Sequence, residues 1–593
     1  MLTITGPIAD TRDLLYTHEM TGRESGATSR ALTSVFASVW TWFAITAACA
    51  GIWAFQHRFE VNPDGITYVD MASAATKNGL GSLINGYFCP LYPGFLAIWF
   101  WLIHPSPTME APLVHFAGWL IFCGAAAAFA LFLRALMKLD VRNWREGGVS
   151  PAIESLFYYC AFVWIFMRPE FTAVFPDLLL SAFVFLTAWC CVKAVSGASW
   201  GCYVLLGLAS AGIYYCKASG FFTALFLLAT LLVWPPVRNG RPRVVLALLV
   251  FSAASLPLAI AVSKRVGEFT TGESGKLNYL WHVEKPNLPQ HVNSDFYTYY
   301  GWKVSGWTGQ QTVGHGTLLH PPRVLFEKPL VLEFAGPIGG TYALWYDPAY
   351  WFAGVRVRPD LRRQITHSFQ NLHSYWLTAD NGVLWAGALA LAILGASRPL
   401  KGWLPPSLFW IVLWPLAMLA TIASVHLETR YLAPFVVLLV VGVCAPLARR
   451  SGSAANAALL ALSIVIILPV AVLTCDSVLA IVDQRTTHFR SDDQQIADAL
   501  SALGVKPGDR IATVGNSFDA YWAHLAGVRI VAQAPDKDEF WKADQKQQDE
   551  LVEQLRSVGA KALVARSEGE PARPGWQELP SRVGEPYRLL LLR

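Results

Sequence analysis

Apolar residues in this chain come in runs of about 17–25 separated by short polar stretches, the length that crosses roughly 30 Å of hydrocarbon. The runs predict spans at Ser34–Phe55, Leu113–Leu136, Pro151–Met167, Asp177–Val195, Gly201–Cys216, Ala218–Trp234, Val244–Val262, Gly382–Ala396, Leu404–Ser424, Leu432–Ala448 and Ala457–Leu479. One apolar stretch, Pro90–Ile103, is shorter and opens with two prolines. A span needs about 20 residues, so this stretch reads as an interfacial or re-entrant helix, which leaves eleven spans.

The placement of charge tests that choice. With the N-terminus inside, the inner loops hold Lys138, Arg142 and Arg145; Lys193; Arg238, Arg241 and Arg243; Arg398 and Lys401; Arg449 and Arg450. Every inner loop is then basic, as the positive-inside rule requires. Counting Pro90–Ile103 as a span would move the Lys138–Arg145 cluster outside. The outer loops carry Asp64, Asp70, Glu170, Asp177, Lys217, a long segment at 264–381 and the HLETRY stretch at His426–Tyr431.

Composition agrees with a polytopic membrane protein. Of 593 residues, 54% are hydrophobic and 15% charged, against about a quarter charged in soluble chains. The net charge of +5 says little, because orientation follows where the charges sit. Ten Cys are scattered, mostly inside apolar runs, with no CxxC pair or disulfide framework, and read as small core residues. Residues 1–33 are polar and lack an apolar stretch before a cleavage site, so they are expected to form a cytoplasmic tail. After about Asp483 the pattern changes. An amphipathic helix (Ile496, Ala499, Leu500, Leu503) leads through KPGD into strand-like DRIATV, VRIVAQ, KALVA and YRLLLL, with a polar helix near Gln545–Val558. This predicts a small α/β domain at 483–593, on the outer side with the preceding loop. Its Val514–Ser517 turn is no GxGxxG fingerprint, and no phosphate loop is present.

The chemistry gathers at predicted outer span ends, around the stretch Asn62–Leu96. A charge at the bilayer centre costs about 2.5–3.5 kcal/mol, so acids this near a span face water or a site. Asp64, Tyr68, Ala72 and Ala75 share one side of a helix running to Gly79. Asp177, Lys217, His426, Glu428 and Arg430 lie at other outer ends. Carboxylates beside cations suit a phosphate-bearing lipid and an acceptor that must lose a proton. A glycosidase needs an acid as well as a base, whereas a phosphate leaves as an anion and needs only cations to hold it. Plainer readings stand beside this one: Asp177 as a helix cap, Lys217 as a snorkelling anchor, Glu428 and Arg430 as a surface pair. In the long outer loop, GTYALWYDPAYW at Gly340–Trp351 suits either stacking on sugar faces or the headgroup belt.

PDGITYVDMA at Pro63–Ala72, YPGF at Tyr92–Phe95, FPDLLL at Phe175–Leu180, YYCKASG at Tyr214–Gly220 and ETRYLAP at Glu428–Pro434 together resemble the GT-C membrane glycosyltransferases. The likeness is to the bacterial branch related to protein O-mannosyltransferases and aminoarabinose transferases, and it covers about residues 34–450. With the span count it gives a GT-C-like all-α polytopic membrane bundle of about 11 transmembrane helices at 34–482, with outer loops at 57–112 and 264–381; the small α/β domain lies outside the resemblance. The resemblance implies an inverting transferase using a polyprenyl-phosphate sugar at the outer face of the inner membrane. Asp64 would be the general base and Asp177 would orient substrate. Lys217 and Arg430 would pair with the donor phosphate. Tyr68, Asp70, Tyr92, His426 and Glu428 are further substrate-binding candidates, Asp70 the weakest because it lies beyond the motif's Tyr. Two departures stand out. Aminoarabinose transferases have a Lys before the Pro of the first loop, where this chain reads Phe88, Cys89, Pro90; the oligosaccharyltransferase WWD is matched only by Trp345, Tyr346 and Asp347 in a loop between spans. No cofactor is implied; two carboxylates leave a divalent cation open, without diagnostic spacing. The acceptor, whether protein, lipid or glycan, is not specified. A lipid or glycan transporter or flippase, and an O-antigen polymerase or ligase relying on Arg356, Arg358, Arg362 and His367, are the competing readings.

Overall fold

The computed structural model describes residues 35–139, 150–166, 173–237, 239–284, 312–313, 316–318, 322–334, 340–354, 356–377, 404–451, 453–486, 491–515, 517–567, 574–579 and 586–592. The helices are α1 (Val39–Gln56), α2 (Pro63–Asn78), α3 (Leu91–Ile103), α4 (Pro107–Met137), α5 (Pro151–Phe166), α6 (Asp177–Val195), α7 (Trp200–Cys216), α8 (Gly220–Val233), α9 (Arg241–Val266), α10 (Trp410–Ala423), α11 (Thr429–Ser451) and α12 (Ser453–Thr486). Six described helices are long and apolar enough to cross a bilayer, and five shorter apolar ones accompany them. The chain is a multi-pass membrane protein. Every predicted span coincides with a described helix except Gly382–Ala396, which lies outside the described residues, as do the tail at 1–33, Glu170, Arg142, Arg145, Arg398 and Lys401.

Close packing of the bundle follows from small residues. The run Ala125, Ala126, Ala128 and Ala130 on α4 is buried, and lets Phe129 reach Phe162 of α5 in a stacked pair at 5.0 Å and Phe185 of α6 at 5.0 Å. Without a water-driven force between spans, such backbone approach and van der Waals contact hold the helices together. Helix α3 is the short Pro90–Ile103 stretch. Ile98, Trp101, Leu102 and Ile103 form its exposed apolar side, while Tyr92, Leu96 and Phe100 face inward.

The C-terminal region contains helices α13 (Asp492–Ala502) and α14 (Gln545–Ser557), each with a side-chain N-cap, Ser491 and Asp544 respectively. Its sheet has seven strands: β1 (Arg323–Glu327), β2 (Leu330–Glu333), β3 (Arg510–Val514), β4 (Arg529–Ala534), β5 (Ala560–Arg566), β6 (Trp576–Leu579) and β7 (Tyr587–Leu591). Their spatial order is β1-β2-β4-β3-β5-β7-β6, with β3 parallel to both neighbours and the remaining pairs antiparallel. The central strands alternate as a two-sided sheet requires. Ala512 and Val514 face α14, whereas Ile511 joins a core shared with Tyr68, Leu96 and Tyr342. The hairpin β1–β2 comes from the long outer loop. Leu332 pairs with Gln533 across about two hundred residues of sequence, so a sheet predicted from residues after 483 alone is completed from the 264–381 loop.

The Gly340–Trp351 stretch takes neither place expected of it. Tyr342, Trp345 and Tyr346 are buried between α2 and the sheet rather than open to sugar or lipid. Thr341 donates to Asp70 through its N–H (2.6 Å) and hydroxyl (2.9 Å), the Tyr342 hydroxyl donates to Gln533 (2.7 Å), and Asp347 accepts from Arg265 (2.8 Å). Gly340 has φ +87°, and a Cβ there would collide with the Tyr346 ring and crowd Asp70.

One ionic clamp fastens this assembly. His524 contacts Asp70 through Nδ1 (2.6 Å) and Glu110 of α4 through Nε2 (2.8 Å). Only imidazolium donates from both nitrogens at once. Burial pushes the His524 pKa down, but the Glu110 charge and the hydrogen bonds to Asp70 and Glu110 outweigh it and raise it to about 10. A histidine near 6.5 when unfolded then contributes stability that is full below pH 6.5 and is lost as pH rises through 10. Thermal unfolding should therefore show stability declining from pH 6.5 to 10. His524→Ala should lose about 3 kcal/mol at pH 6.5 and show a flatter pH dependence.

Candidate functional site

Asp64, Asp177, Lys217 and Arg430 converge on one cavity of about 280 Å³ at one end of the bundle. Asp64, Tyr68, Cys89, Asp177, Lys217, His426, Arg430 and Tyr431 line its polar part, and Leu180, Phe222, Met418 and Ile422 its apolar wall. Phe222 is exposed on the helix surface, so the apolar wall runs out to a face that lipid would cover.

Local sequence explains how each group is aimed. Helix α2 begins with Pro63 at its first position, where a missing N–H costs nothing. Asp64 follows in the first turn, where the helix dipole favours a negative charge. The Asn62 side chain accepts from Val174 N–H (2.7 Å) and ties this end to the segment leading into Asp177. Gly65 is needed for that approach, since a Cβ there would meet Asn62 and Val174 at 2.8 Å. The Asp64 carboxylate accepts from Trp345 Nε1 (3.1 Å) and faces Arg430 Nη2 (3.4 Å). Its pKa is raised, because burial outweighs the opposing Arg430 charge, with Glu428 pushing the same way as burial.

Arg430 is the hub. Its Nε donates to Glu428 (2.5 Å), its Nη2 to Asp64 and to the Tyr431 hydroxyl (3.4 Å each), and the guanidinium lies over the Phe175 ring at 3.5 Å. The side chain is only 10% exposed, and its Nη1 is buried with no hydrogen-bond partner among the described residues. A buried charged donor without a partner costs the full desolvation of that group. Glu428 is held by two neighbours, Arg430 and His426 (3.0 Å). Burial would push its pKa up, but the His426 hydrogen bond and the Arg430 charge lower it to about 2. The pair is half-enclosed at the cavity edge rather than an open surface pair. Asp177 is the first residue of α6 behind a Pro176 cap, and is 2% exposed. It accepts from Lys217 Nζ (2.5 Å), whose ammonium also sits over the Tyr431 ring at 3.3 Å. Lys217 points into the protein and does not snorkel outward.

Two of the predicted residues lie elsewhere. Asp70 is turned away from the cavity on α2, where it is bound by Thr341 and His524, so its partners are the 340–354 segment and the C-terminal region and not a substrate. Tyr92 is 2% exposed, packs edge-on against Tyr68 at 5.2 Å and borders a separate void of about 50 Å³. Glu428 reaches the cavity through Arg430 and His426. Trp345 was not among the predicted site residues. The aromatic density of its loop was visible, but nothing local linked it to an acid 281 residues away. Cys89, the residue before Pro90, also lines the cavity. Among the described residues, no group of three or more His, Cys, Asp or Glu is arranged to hold a metal ion. Arg362 and His367 line a different, open cleft with Glu284 and Asp360.

No family model matches the chain, and no curated protein does. Among solved structures, it is similar to ArnT from Cupriavidus metallidurans in the apo state, with 12% identity over 93% of this chain and 98% of that one (TM-score 0.46). It is similar to the same protein bound to undecaprenyl phosphate, with 12% identity over 92% of this chain and 98% of that one (TM-score 0.48). A further similarity is to the archaeal oligosaccharyltransferase AglB from Archaeoglobus fulgidus in complex with an inhibitory peptide and a dolichol-phosphate, with 11% identity over 89% of this chain and 69% of that one (TM-score 0.44).

The Asp177–Lys217 pair yields a direct test. Asp177→Asn leaves a buried ammonium without its counter-charge and should destabilise the protein by about 3 kcal/mol. Adding Lys217→Met should restore a good part of that loss, measured as thermal unfolding in detergent.

Proposed function

We propose that the protein is an inverting glycosyltransferase that moves a sugar from a polyprenyl-phosphate donor to an acceptor at the outer face of the inner membrane. The observation that carries this reading is a cavity in which Arg430 and Lys217 stand beside Asp64 and an apolar wall, with Arg430 Nη1 buried and without a hydrogen-bond partner among the described residues. An anion is what a buried free guanidinium nitrogen lacks. The phosphate of a lipid supplies it while the lipid tail follows the apolar wall past Phe222.

The chemistry then follows from the residues. Asp64 accepts the proton of an acceptor hydroxyl or amine as that atom attacks the anomeric carbon. The bond from that carbon to the phosphate oxygen breaks on the opposite face, and the lipid phosphate leaves with the electron pair. No general acid is needed at the leaving group, because Arg430 and Lys217 hold its charge. A phosphate near Asp64 raises the affinity of that carboxylate for a proton, so donor binding makes the base stronger when it is required. Asp177 keeps Lys217 oriented, and Glu428 with His426 keeps Arg430 oriented. In this reading the N-terminus is cytoplasmic, and the C-terminal α/β region lies outside, over the cavity mouth. The missing Lys before Pro90 leaves Arg430 and Lys217 as the cavity's phosphate-binding cations.

Asp64→Asn should insert and fold normally yet lose transfer from undecaprenyl-phosphate-linked sugars by about 10³-fold, within the range for removing a general base. In the unaltered protein, transfer should fall as pH drops through the raised Asp64 pKa. Arg430→Gln should weaken binding of undecaprenyl phosphate itself about tenfold or more, the loss of one charge-assisted hydrogen bond. Full transfer by Asp64→Asn, followed as radiolabelled product in membranes, would remove the base assignment.

A further inference from the structure

The cavity explains Arg430 and Asp64 but leaves open why a soluble α/β region is built so tightly onto α2. Asp64 and Asp70 both stand on that helix, and one short segment of the outer loop holds both. Thr341 donates twice to Asp70, and four residues on Trp345 donates to Asp64. The same segment is bound to the C-terminal sheet on its other side. Thr341 O accepts from Ile530 N–H (3.1 Å), and Tyr342 reaches Gln533. The Trp345 indole, 7% exposed, is boxed in by Phe518 of the C-terminal region (5.4 Å, edge-on), Phe88 (5.9 Å), Tyr87 (5.8 Å) and Trp281 (6.4 Å). An indole has a single N–H and no acceptor, so where the ring is fixed, its one donor fixes the carboxylate oxygen it meets.

We infer that Trp345 is a positioning residue for Asp64 and that the C-terminal region, through Phe518 and the Tyr342 contacts, is the element that holds it in place. The inference rests on the reading of Asp64 as the base. With Oδ1 bound to the indole, the second oxygen, Oδ2, is turned toward Arg430 and the cavity, where an acceptor proton would arrive. Among the described residues, the charged and titratable groups facing Asp64 are Glu428 just before α11, Arg430 and Tyr431 at its start, Lys217 just after α7, and Tyr68 on its own helix. Against burial, the Trp345 hydrogen bond works to keep the carboxyl charged. Losing it should leave a base that is misaligned and protonated to higher pH.

The test reads the Asp64 proton without relying on transfer. Dicyclohexylcarbodiimide reacts with protonated carboxyls in apolar surroundings, so the rate of Asp64 labelling, mapped by peptide mass spectrometry against pH, reports its midpoint, with Asp64→Asn as the blank. Trp345→Phe, which keeps an aromatic ring in the box, should raise the midpoint by about half to one pH unit. Phe518→Ala keeps the Trp345 donor and removes only its C-terminal support; it should shift the midpoint in the same direction by less. An unchanged midpoint in Trp345→Phe would overturn the positioning role, and a shift there without one in Phe518→Ala would overturn the part given to the C-terminal region. Absence of transfer by the unaltered protein from any lipid-phosphate sugar would sink the proposed function while leaving the labelling result to decide the role of Trp345.

Discussion

Charge withdrawn from water has to be paired, and at one end of these helices three carboxylates and two cations are drawn together. Asp177 with Lys217 and Glu428 with Arg430 are close pairs, and Asp64 shares Arg430. Such clusters are weak devices for stability, because desolvation consumes most of the Coulombic gain. Hydrophobic side chains of the same size would serve a bundle as well. What the cluster provides is a set of oriented donors and one basic oxygen at the edge of a cavity with an apolar wall. Arg430 shows the cost openly, with one nitrogen left unsatisfied in an otherwise paired group.

The rest of the fold keeps that cluster in register. Helix α2 is short and polar on its outer side, and isolated helices of this length are marginal. It is fixed at its start by Asn62 to the segment before α6, along one side by the Tyr68–Tyr92–Phe88 contacts, and along the other by Thr341 and the His524 clamp. The C-terminal sheet and the membrane bundle thus share one hydrophobic core through this helix. The hairpin β1–β2, drawn from the same outer loop as Trp345, closes the arrangement by adding its two strands at one edge of the sheet.

Much of this is legible in the sequence because it is periodic or local. Long apolar runs mark the described spans, and short strand-like runs mark β3, β4, β5 and β7. Asp64, Asp177, Lys217 and Arg430 could be drawn together because the expected sidedness places each at a span end on one face, and the structure brings them to one cavity. Pairings between distant segments have no such signature. Leu330–Glu333 looks like any short apolar piece until Gln533 is beside it, and Trp345 looks like a belt aromatic until Asp64 is found beneath it. Asp70 misled for the same reason: six residues from Asp64 on one helix, it resembles a second site acid, but that spacing turns it toward His524. Tyr92 sits in a motif, yet the helix buries it among Tyr68 and Leu96.

The central claim is that the free Arg430 nitrogen and the Lys217 ammonium form the seat of a lipid phosphate beside Asp64. Cryo-electron microscopy of the protein in nanodiscs with undecaprenyl phosphate added tests it most directly. The account predicts phosphate density within hydrogen-bonding distance of Arg430 Nη1 and the lipid tail running past Phe222. Lipid phosphate seated away from both Arg430 and Lys217 would contradict it.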